Sequence, residues 1–326
     1  MTSNSFNMSI IVPMYNEGEN VNVFYEKLTQ ILVSQSYDYE IICINDGSKD
    51  DTMERLRSLA NRDRRIKVIN LSRNFGKEIA MSAGLKYSKA DIVIPIDADL
   101  QDPPEVIPLL IEKWKEGYDV VYATRIKRDG ETWLKKATAH TFYRIMGKMT
   151  RFEIPADTGD FRLMTKQVVE ALNQLPEQHR FMKGLFSWVG FKQTSVTYYR
   201  EPRYAGKSSF NYWKLWNFAI EGITSFSFAP LQFATYLGLL IAVLSLVYAT
   251  YLVIATVTLG NPVPGYPSLM VAILFFGGVQ LITLGVIGEY IGRIYNESKR
   301  RPLFLVKEEL NIDDEIKPAS KLKVIN

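Results

Sequence analysis

The residues with the most chemical potential lie in one short run, Asp97-Ala98-Asp99-Leu100-Gln101-Asp102. Two carboxylates one residue apart, just past an apolar run ending at Ile96, can share a divalent ion, one directly and one through water. Hard oxygen ligands beside a diphosphate suit Mg²⁺ or Mn²⁺, and such an ion offsets charge building on a departing nucleoside diphosphate. An Asp-x-Asp triplet alone is weak, because many such acids are merely solvated, so its place in the fold decides its weight.

Three more runs carry usable groups. Pro13-Met14-Tyr15-Asn16-Glu17 can hold a base and ribose by stacking and carboxylate contact. Asn45-Asp46-Gly47-Ser48 is a turn whose aspartate can accept from a base N–H. Ser72-Arg73-Asn74-Phe75-Gly76-Lys77 is a basic turn opening a helix, suited to phosphates. Each could equally be a surface turn, and the elements carrying them set them apart. Apolar, β-branched runs predict strands at Ser9–Val12, Glu40–Ile44, Ile66–Leu71, Asp91–Ile96 and Asp119–Ala123. Helical spacing predicts helices at Asn20–Val33, Asp51–Ala60, Lys77–Tyr87 and Pro104–Glu116, the last led by prolines. Such alternation implies a largely parallel sheet covered on both faces. Ligands then sit outside the carboxyl ends of the strands, where all four runs fall.

Composition locates the rest. Hydrophobic residues make up 47% of the 326, yet between Glu221 and Glu289 there is no Asp, Glu, Lys, Arg or His at all. Leu231–Val257 and Leu269–Gly288 are each long enough to cross a hydrocarbon core, which takes roughly 20 residues. The connection Thr258–Ser268 carries Pro262, Pro264 and Pro267 and no charge. Basic residues flank the pair instead: Arg200, Arg203, Lys207 and Lys214 before, Arg293, Lys299, Arg300, Arg301 and Lys307 after. The positive-inside rule places both flanks in the cytosol and the proline loop outside. Asn211–Phe228, with Trp213 and Trp216, reads as an interfacial helix, since tryptophans concentrate at that depth. The basic amphipathic stretch from Gly130 to Phe152 either lies in the interface or packs on the sheet. Met1 to Met8 lacks the start of a secretory signal, so the N-terminus is expected to stay cytosolic, and Asn311–Asn326 to be loosely held.

Several classes drop out. A net charge of +4 without a dense Lys/Arg run argues against nucleic acid. The single cysteine, Cys43, excludes an internal disulfide and a cysteine-built zinc site, and reads as a buried strand residue. His140 and His179 lack metal-ligand spacing. Gly206-Lys207-Ser208 is no P-loop, because position 201 is Glu, and no Gly-x-Gly-x-x-Gly occurs.

Val12-Pro13-Met14-Tyr15-Asn16-Glu17, Asn45-Asp46-Gly47-Ser48, Asn74-Phe75-Gly76-Lys77 and Asp97 to Pro104 resemble the motif series of inverting, family-2-type glycosyltransferases with the GT-A fold. More narrowly, the chain resembles polyisoprenyl-phosphate glycosyltransferases: the dolichol-phosphate mannose synthase group and the bacterial bactoprenol glucosyltransferases. The likeness runs from about Ser9 to Arg301. It implies an α/β GT-A domain over 1–210, an interfacial helix over 211–230, a two-helix transmembrane hairpin over 231–292 and a cytosolic tail over 293–326. Asp97, Asp99 and Gln101 would lie around a Mg²⁺ or Mn²⁺ ion and the diphosphate. Pro13, Tyr15, Glu17 and Asp46 would hold the nucleoside, with Lys77 and Arg125 approaching the donor. The implied reaction transfers a hexose, glucose from UDP-glucose being most plausible, to undecaprenyl phosphate at the cytosolic face of a bacterial inner membrane. The alternatives are another UDP- or GDP-sugar such as mannose, or a membrane-anchored nucleotide-sugar binder without catalysis. A processive polysaccharide synthase is disfavoured, because no Gln-x-x-Arg-Trp occurs and two helices cannot enclose a polymer path.

Asp157-Thr158-Gly159-Asp160-Phe161-Arg162 resembles the family's acceptor-side motif, which makes Asp157 the candidate catalytic carboxylate beside Asp99 and Arg125. Arg200, Arg203, Lys207 and Ser209 are the candidates for the acceptor phosphate, since arginine grips phosphate with a two-pronged geometry. Gly285, Gly288 and Gly292 permit close helix approach, so a homo-oligomer is expected. A flippase and a downstream glycosyltransferase would be further partners. A phosphate monoester has its second pKa near ~6, so the acceptor needs little deprotonation and Asp157 is read as orienting rather than basic. Replacing Asp157 by Asn should therefore abolish transfer, and a pH–rate profile should show no recovery at raised pH.

Overall fold

The computed structural model describes residues 6–35, 37–126, 158–178, 180–199, 229–259 and 265–312. Its centre is an eight-stranded sheet. Strands β1 (Asn7–Met14), β2 (Asp38–Asn45), β3 (Ile66–Leu71), β4 (Ile92–Pro95) and β5 (Val120–Arg125) alternate with α1 (Gly18–Ser34), α2 (Thr52–Arg62), α3 (Lys77–Tyr87) and α4 (Ile107–Lys115). There follow β6 (Thr158–Thr165), α5 (Lys166–Gln174), α6 (Met182–Trp188) and β7 (Gln193–Tyr198), then the long helices α7 (Ala229–Leu259) and α8 (Tyr266–Ser298), and finally β8 (Val306–Leu310). Strand order is β7-β5-β6-β4-β1-β2-β3-β8.

Successive side chains on a strand face opposite ways, so the β-branched runs feed two cores. Ile10, Val12, Ile41 and Cys43 pack with Phe24 and Leu28 of α1, Leu56 of α2 and Leu110 of α4. Ile11, Ile42, Ile44 and Ile69 face the other way, onto Met81 of α3, Leu172 of α5 and Phe186 of α6. Covered on both faces, these strands can be apolar at nearly every position. Cys43 belongs to this interior: burial pushes its thiol up to about 12, which suits packing rather than nucleophilic chemistry.

β1, β2, β3 and β4 pair in parallel, and β7 pairs parallel to β5. Two strands run the other way. β6 lies antiparallel between β4 and β5, and β8 lies antiparallel on the outer edge of β3. The reversal of β6 matters for chemistry, because it brings an amino end, Thr158–Asp160, to the rim where its neighbours end: Thr158 pairs with Thr124 near the close of β5.

Helices α7 and α8 are 31 and 33 residues long, so at ~1.5 Å per residue each exceeds the ~30 Å hydrocarbon core. Both are long and apolar enough to cross a membrane, and almost none of the residues in their most apolar windows is buried inside the protein. That is the reverse of a soluble core helix. α8 continues well past Gly292, and its last turn is tied to the globular part: Gln178 donates its backbone N–H to Glu297 Oε1 and its side-chain amide to the Arg301 carbonyl, each at 2.8 Å.

The segment after α8 returns to the globular part. β8 joins the sheet, the Leu305 carbonyl accepts from Ser72 N at 2.9 Å, and the Asn311 side chain donates to the carbonyls of Ala60 and Ile66 at 2.8 and 2.9 Å. Val306-Lys307-Glu308-Glu309-Leu310 has too few apolar residues to read as a strand, as befits an edge. Its acids find partners across the fold, Glu308 with Arg57 and Glu309 with the Tyr87 hydroxyl. Asn311→Ala should lose about 1–2 kcal/mol, from two hydrogen bonds of ~0.5–1.5 kcal/mol each. A thermal melt of detergent-solubilised protein should show the midpoint falling by a few degrees.

Candidate active site

Four loops meet at the carboxyl ends of β1 to β4. Asn16, with φ 54°, turns the chain after β1 and locks onto the loop after β2: its N–H donates to Ser48 Oγ at 2.9 Å and its Oδ1 accepts from Lys49 N at 2.8 Å. Pro13 is half-buried and Tyr15 exposed, so the tyrosine ring is free to stack. The Glu17 N–H donates to Thr52 Oγ1 at 3.0 Å, while its Oε2 accepts from Asn20 Nδ2 at 2.5 Å.

Asp46 is buried, and each of its oxygens accepts a backbone N–H: Oδ1 from Phe75 at 2.7 Å, Oδ2 from Gly76 at 2.9 Å. Burial raises its pKa, against the pull of those two donors. Asp46 thus first fixes the β3–α3 turn, which leaves it less open to a base N–H than its place in the sequence suggests. Gly47 makes the approach possible. It sits at φ 65°, and a Cβ there would lie 2.5 Å from the Arg73 carbonyl carbon and 2.6 Å from Asn74 N.

That turn delivers Lys77 to the acidic rim. Its ammonium lies 2.7 Å from both oxygens of Asp97 and 2.7 Å from Oδ2 of Asp160. Burial opposes the Lys77 charge, but Asp160 and Asp97 outweigh it and raise the ammonium's pKa. Burial likewise opposes the Asp160 charge, yet Lys77 and then Lys183 of α6 hold the carboxyl well below the usual carboxylate range. Asp97 is harder to ionise: burial raises its pKa, Lys77 pulls it down, and the charges of Asp160 and Asp102 push it up again. One ammonium serves both Asp97 and Asp160.

Asp99 is buried, and its Oδ1 accepts from Gln101 N at 3.1 Å. Between them Leu100 holds φ 59°, a left-handed conformation that costs a non-glycine residue about 1–3 kcal/mol and recurs at functional sites. Asp97, Asp99 and Gln101 therefore bring hard oxygen donors together just past β4, a donor type that suits Mg²⁺ or Mn²⁺. Among the described residues no group of three or more His, Cys, Asp or Glu side chains converges as a self-sufficient metal cage.

Arg125, at the end of β5, donates from Nε to the Tyr198 hydroxyl at 3.1 Å and brings Nη2 within 3.6 Å of Asp102 Oδ1. The Tyr198 hydroxyl donates in turn to Asp102 Oδ1. Gly159 lets the guanidinium lie across β6, since a Cβ there would stand 2.5 Å from Arg125 Nη2.

Lys77, Asp97, Asp160, Arg125 and Asp102 thus form one electrostatic group. Pro13, Tyr15, Glu17 and Asp46 follow β1 and β2 on the same rim. Asp157, Arg200, Arg203, Lys207 and Ser209 lie outside the described residues, as do the two amphipathic stretches before α7. Asp160, Asp102, Tyr198 and Lys183 had no assigned part in the sequence reading. Asp160 and Asp102 sat inside motifs already singled out, whereas nothing near Tyr198 or Lys183 signalled a role.

A mixed sheet whose parallel strands end in an Asp-x-Asp run and a cationic turn defines a glycosyltransferase of the GT-A class. The chain belongs to glycosyl transferase family 2, which it matches over residues 9–172, and residues 229–294 match the GtrB C-terminal hairpin. It is 60% identical over 301 residues to an uncharacterized glycosyltransferase of Synechocystis sp., covering 92% of this chain and 95% of that protein. It is 52% identical over 302 residues to the bactoprenol glucosyl transferase of Shigella phage SfV, covering 93% of this chain and 98% of that one. A prophage bactoprenol glucosyl transferase homolog of Escherichia coli K12 is 49% identical over 300 residues, covering 92% and 98%.

Tyr198→Phe keeps the ring against Phe161 but removes the donor to buried Asp102. An unsatisfied buried acceptor costs about 1–3 kcal/mol, more for a charged one. The variant should melt earlier in a thermal shift assay and lose glycosyl transfer as Arg125 loses its anchor.

Proposed function

We propose that this chain transfers a hexose from a nucleotide-sugar to a polyprenyl phosphate, with UDP-glucose as donor and undecaprenyl phosphate as acceptor. The observation that carries the reading is the Asp97–Lys77–Asp160 group at the strand ends of a family 2 glycosyltransferase that also carries two long, apolar, outward-facing helices. The names of the curated relatives support the lipid acceptor and the glucose.

Pro13, Tyr15, Glu17 and Asp46 hold the nucleoside, while Lys77 and Arg125 hold the donor's phosphates. Asp97, Asp99 and Gln101 face the diphosphate, and a bound Mg²⁺ or Mn²⁺ there supplies positive charge against the leaving group. Arg200, Arg203, Lys207 and Ser209 bind the acceptor phosphate, and Asp157 orients it. The chemistry is one in-line displacement. A lipid phosphate oxygen attacks the anomeric carbon and forms the new C–O bond. The bond from that carbon to the diphosphate oxygen breaks, its electron pair leaves with the nucleoside diphosphate, and configuration inverts. Positioning and electrostatics supply most of the rate.

α7 and α8 form the transmembrane hairpin, an interfacial helix over 211–230 leads into it, and the catalytic domain and both termini face the cytosol of a bacterial inner membrane. Support for this orientation is the cluster Arg293, Lys299, Arg300 and Arg301 at the end of α8, against an uncharged 260–264 connection.

Membranes containing the protein, incubated with undecaprenyl phosphate and a panel of labelled nucleotide-sugars, should convert label from UDP-glucose into a lipid fraction, and a chelator should stop it. Label from GDP-mannose alone would replace the donor, and nucleotide-sugar binding without any transfer would overturn the enzymatic reading.

A further inference from the structure

The Lys77 ammonium has three N–H donors. Two of its contacts go to the two oxygens of Asp97, and one goes to Oδ2 of Asp160. A divalent ion that takes Asp97 meets the ammonium at either oxygen, so its arrival breaks at least one of these contacts. The other oxygen of Asp160, Oδ1, is buried and has no hydrogen-bond partner. We propose that Asp160 is a positioning residue, a second seat onto which Lys77 withdraws when a divalent cation takes Asp97, leaving one ammonium N–H for the donor's phosphate.

The three ammonium donors are accounted for on both sides of the exchange, and one buried acceptor is left over only before it. Before it, Asp97 takes two contacts and Asp160 one. After it, Asp160 takes two, Oδ1 is satisfied, and the third donor is released toward the substrate. A buried acceptor without a partner is costly, and withdrawal onto Asp160 relieves that cost at the step where the ion arrives. Lys183 of α6 adds a second positive charge acting on Asp160, which keeps the seat anionic. Gly159 and the Arg162 guanidinium, which donates to the Gly159 carbonyl at 2.8 Å, hold the backbone carrying the seat.

The inference rests on the proposed donor site, and a binding measurement separates the two. Mn²⁺ binding, read by electron paramagnetic resonance on the full-length solubilised protein, is titrated with UDP and separately with GDP. Asp160→Asn should weaken Mn²⁺ binding by about tenfold or more, because the amide offers Lys77 one neutral acceptor in place of an anionic seat with two, and the ammonium stays on Asp97. In a Lys77→Gln background the same Asp160→Asn change should have little effect, since no ammonium competes for Asp97. Asp160→Glu, which keeps the charge of the seat, should retain most of the affinity and guards against a misfolded D160N. A D160N loss that is equal with and without Lys77, no loss at all, or a D160E loss as large as that of D160N overturns the inference alone. Wild-type protein that holds Mn²⁺ with neither nucleotide sinks the functional reading and this inference with it.

Discussion

Repulsion among carboxylates is the constraint on which the rest of the structure turns. Asp97, Asp99 and Asp102 leave the end of β4 within six residues, and Asp160 comes in from β6. Two like charges ~4 Å apart repel by about 4 kcal/mol at an effective dielectric constant of ~20, so such a cluster persists only with matched cations. The fold supplies them from three directions: Lys77 from the start of α3, Arg125 from the end of β5, and Lys183 from α6. None is local in sequence to the acids it serves, so this patch of surface exists only once the sheet has formed. Acids and cations gathered on one rim in this way are suited to receive a divalent ion and the phosphates that come with it.

The sheet order explains how these charges reach one place. A purely parallel arrangement would set each acidic loop at the carboxyl end of its own strand and leave no route for a strand's amino end. Inserting β6 antiparallel between β4 and β5 puts Asp160 beside Asp97, and Thr158 opposite Thr124. Close backbone approach then becomes the limiting resource. Gly159 makes room for Arg125, Gly47 lets the β2 turn sit against Arg73 and Asn74, and Leu100 bears a left-handed conformation between Asp99 and Gln101. These are the costs of concentrating polar groups on a rigid apolar scaffold.

Much of this was legible in the residues. Ile66–Leu71 and Lys77–Tyr87 were read to their ends, and the other early strands and helices to within a few residues, because a parallel sheet demands continuous β-branched runs while helices show their own period. The acidic and cationic runs were found because their positions at strand ends follow from topology. Other features could not be read. β8 carries three charges in five residues and lies beyond a long apolar hairpin, so no local pattern marks it. Tyr198 is the buried end of a short, largely accessible strand and looks like ordinary packing, yet its hydroxyl links Asp102 to Arg125. Asp46 illustrates a subtler gap: whether a carboxylate faces a ligand or its own backbone depends on a turn more than twenty residues away.

The placement of β8 also bears on how a membrane-bound substrate meets a globular site. α8 ends at Ser298, its last turn accepts from Gln178, and eight residues later the chain enters the sheet at Val306 beside β3. The Leu305 carbonyl receives the Ser72 N–H, and Ser72 begins the turn that carries Arg73, Phe75 and Lys77. A short, hydrogen-bonded path therefore runs from the end of an apolar helix to the residue that bridges Asp97 and Asp160. A loose tether of the same length would leave the rim free to wander relative to the bilayer, at a cost in effective concentration of the two reactants. The strand that follows the hairpin instead holds the end of α8 to the sheet by ladder hydrogen bonds, and the same bonds cover an edge of β3 that would otherwise invite pairing with another chain.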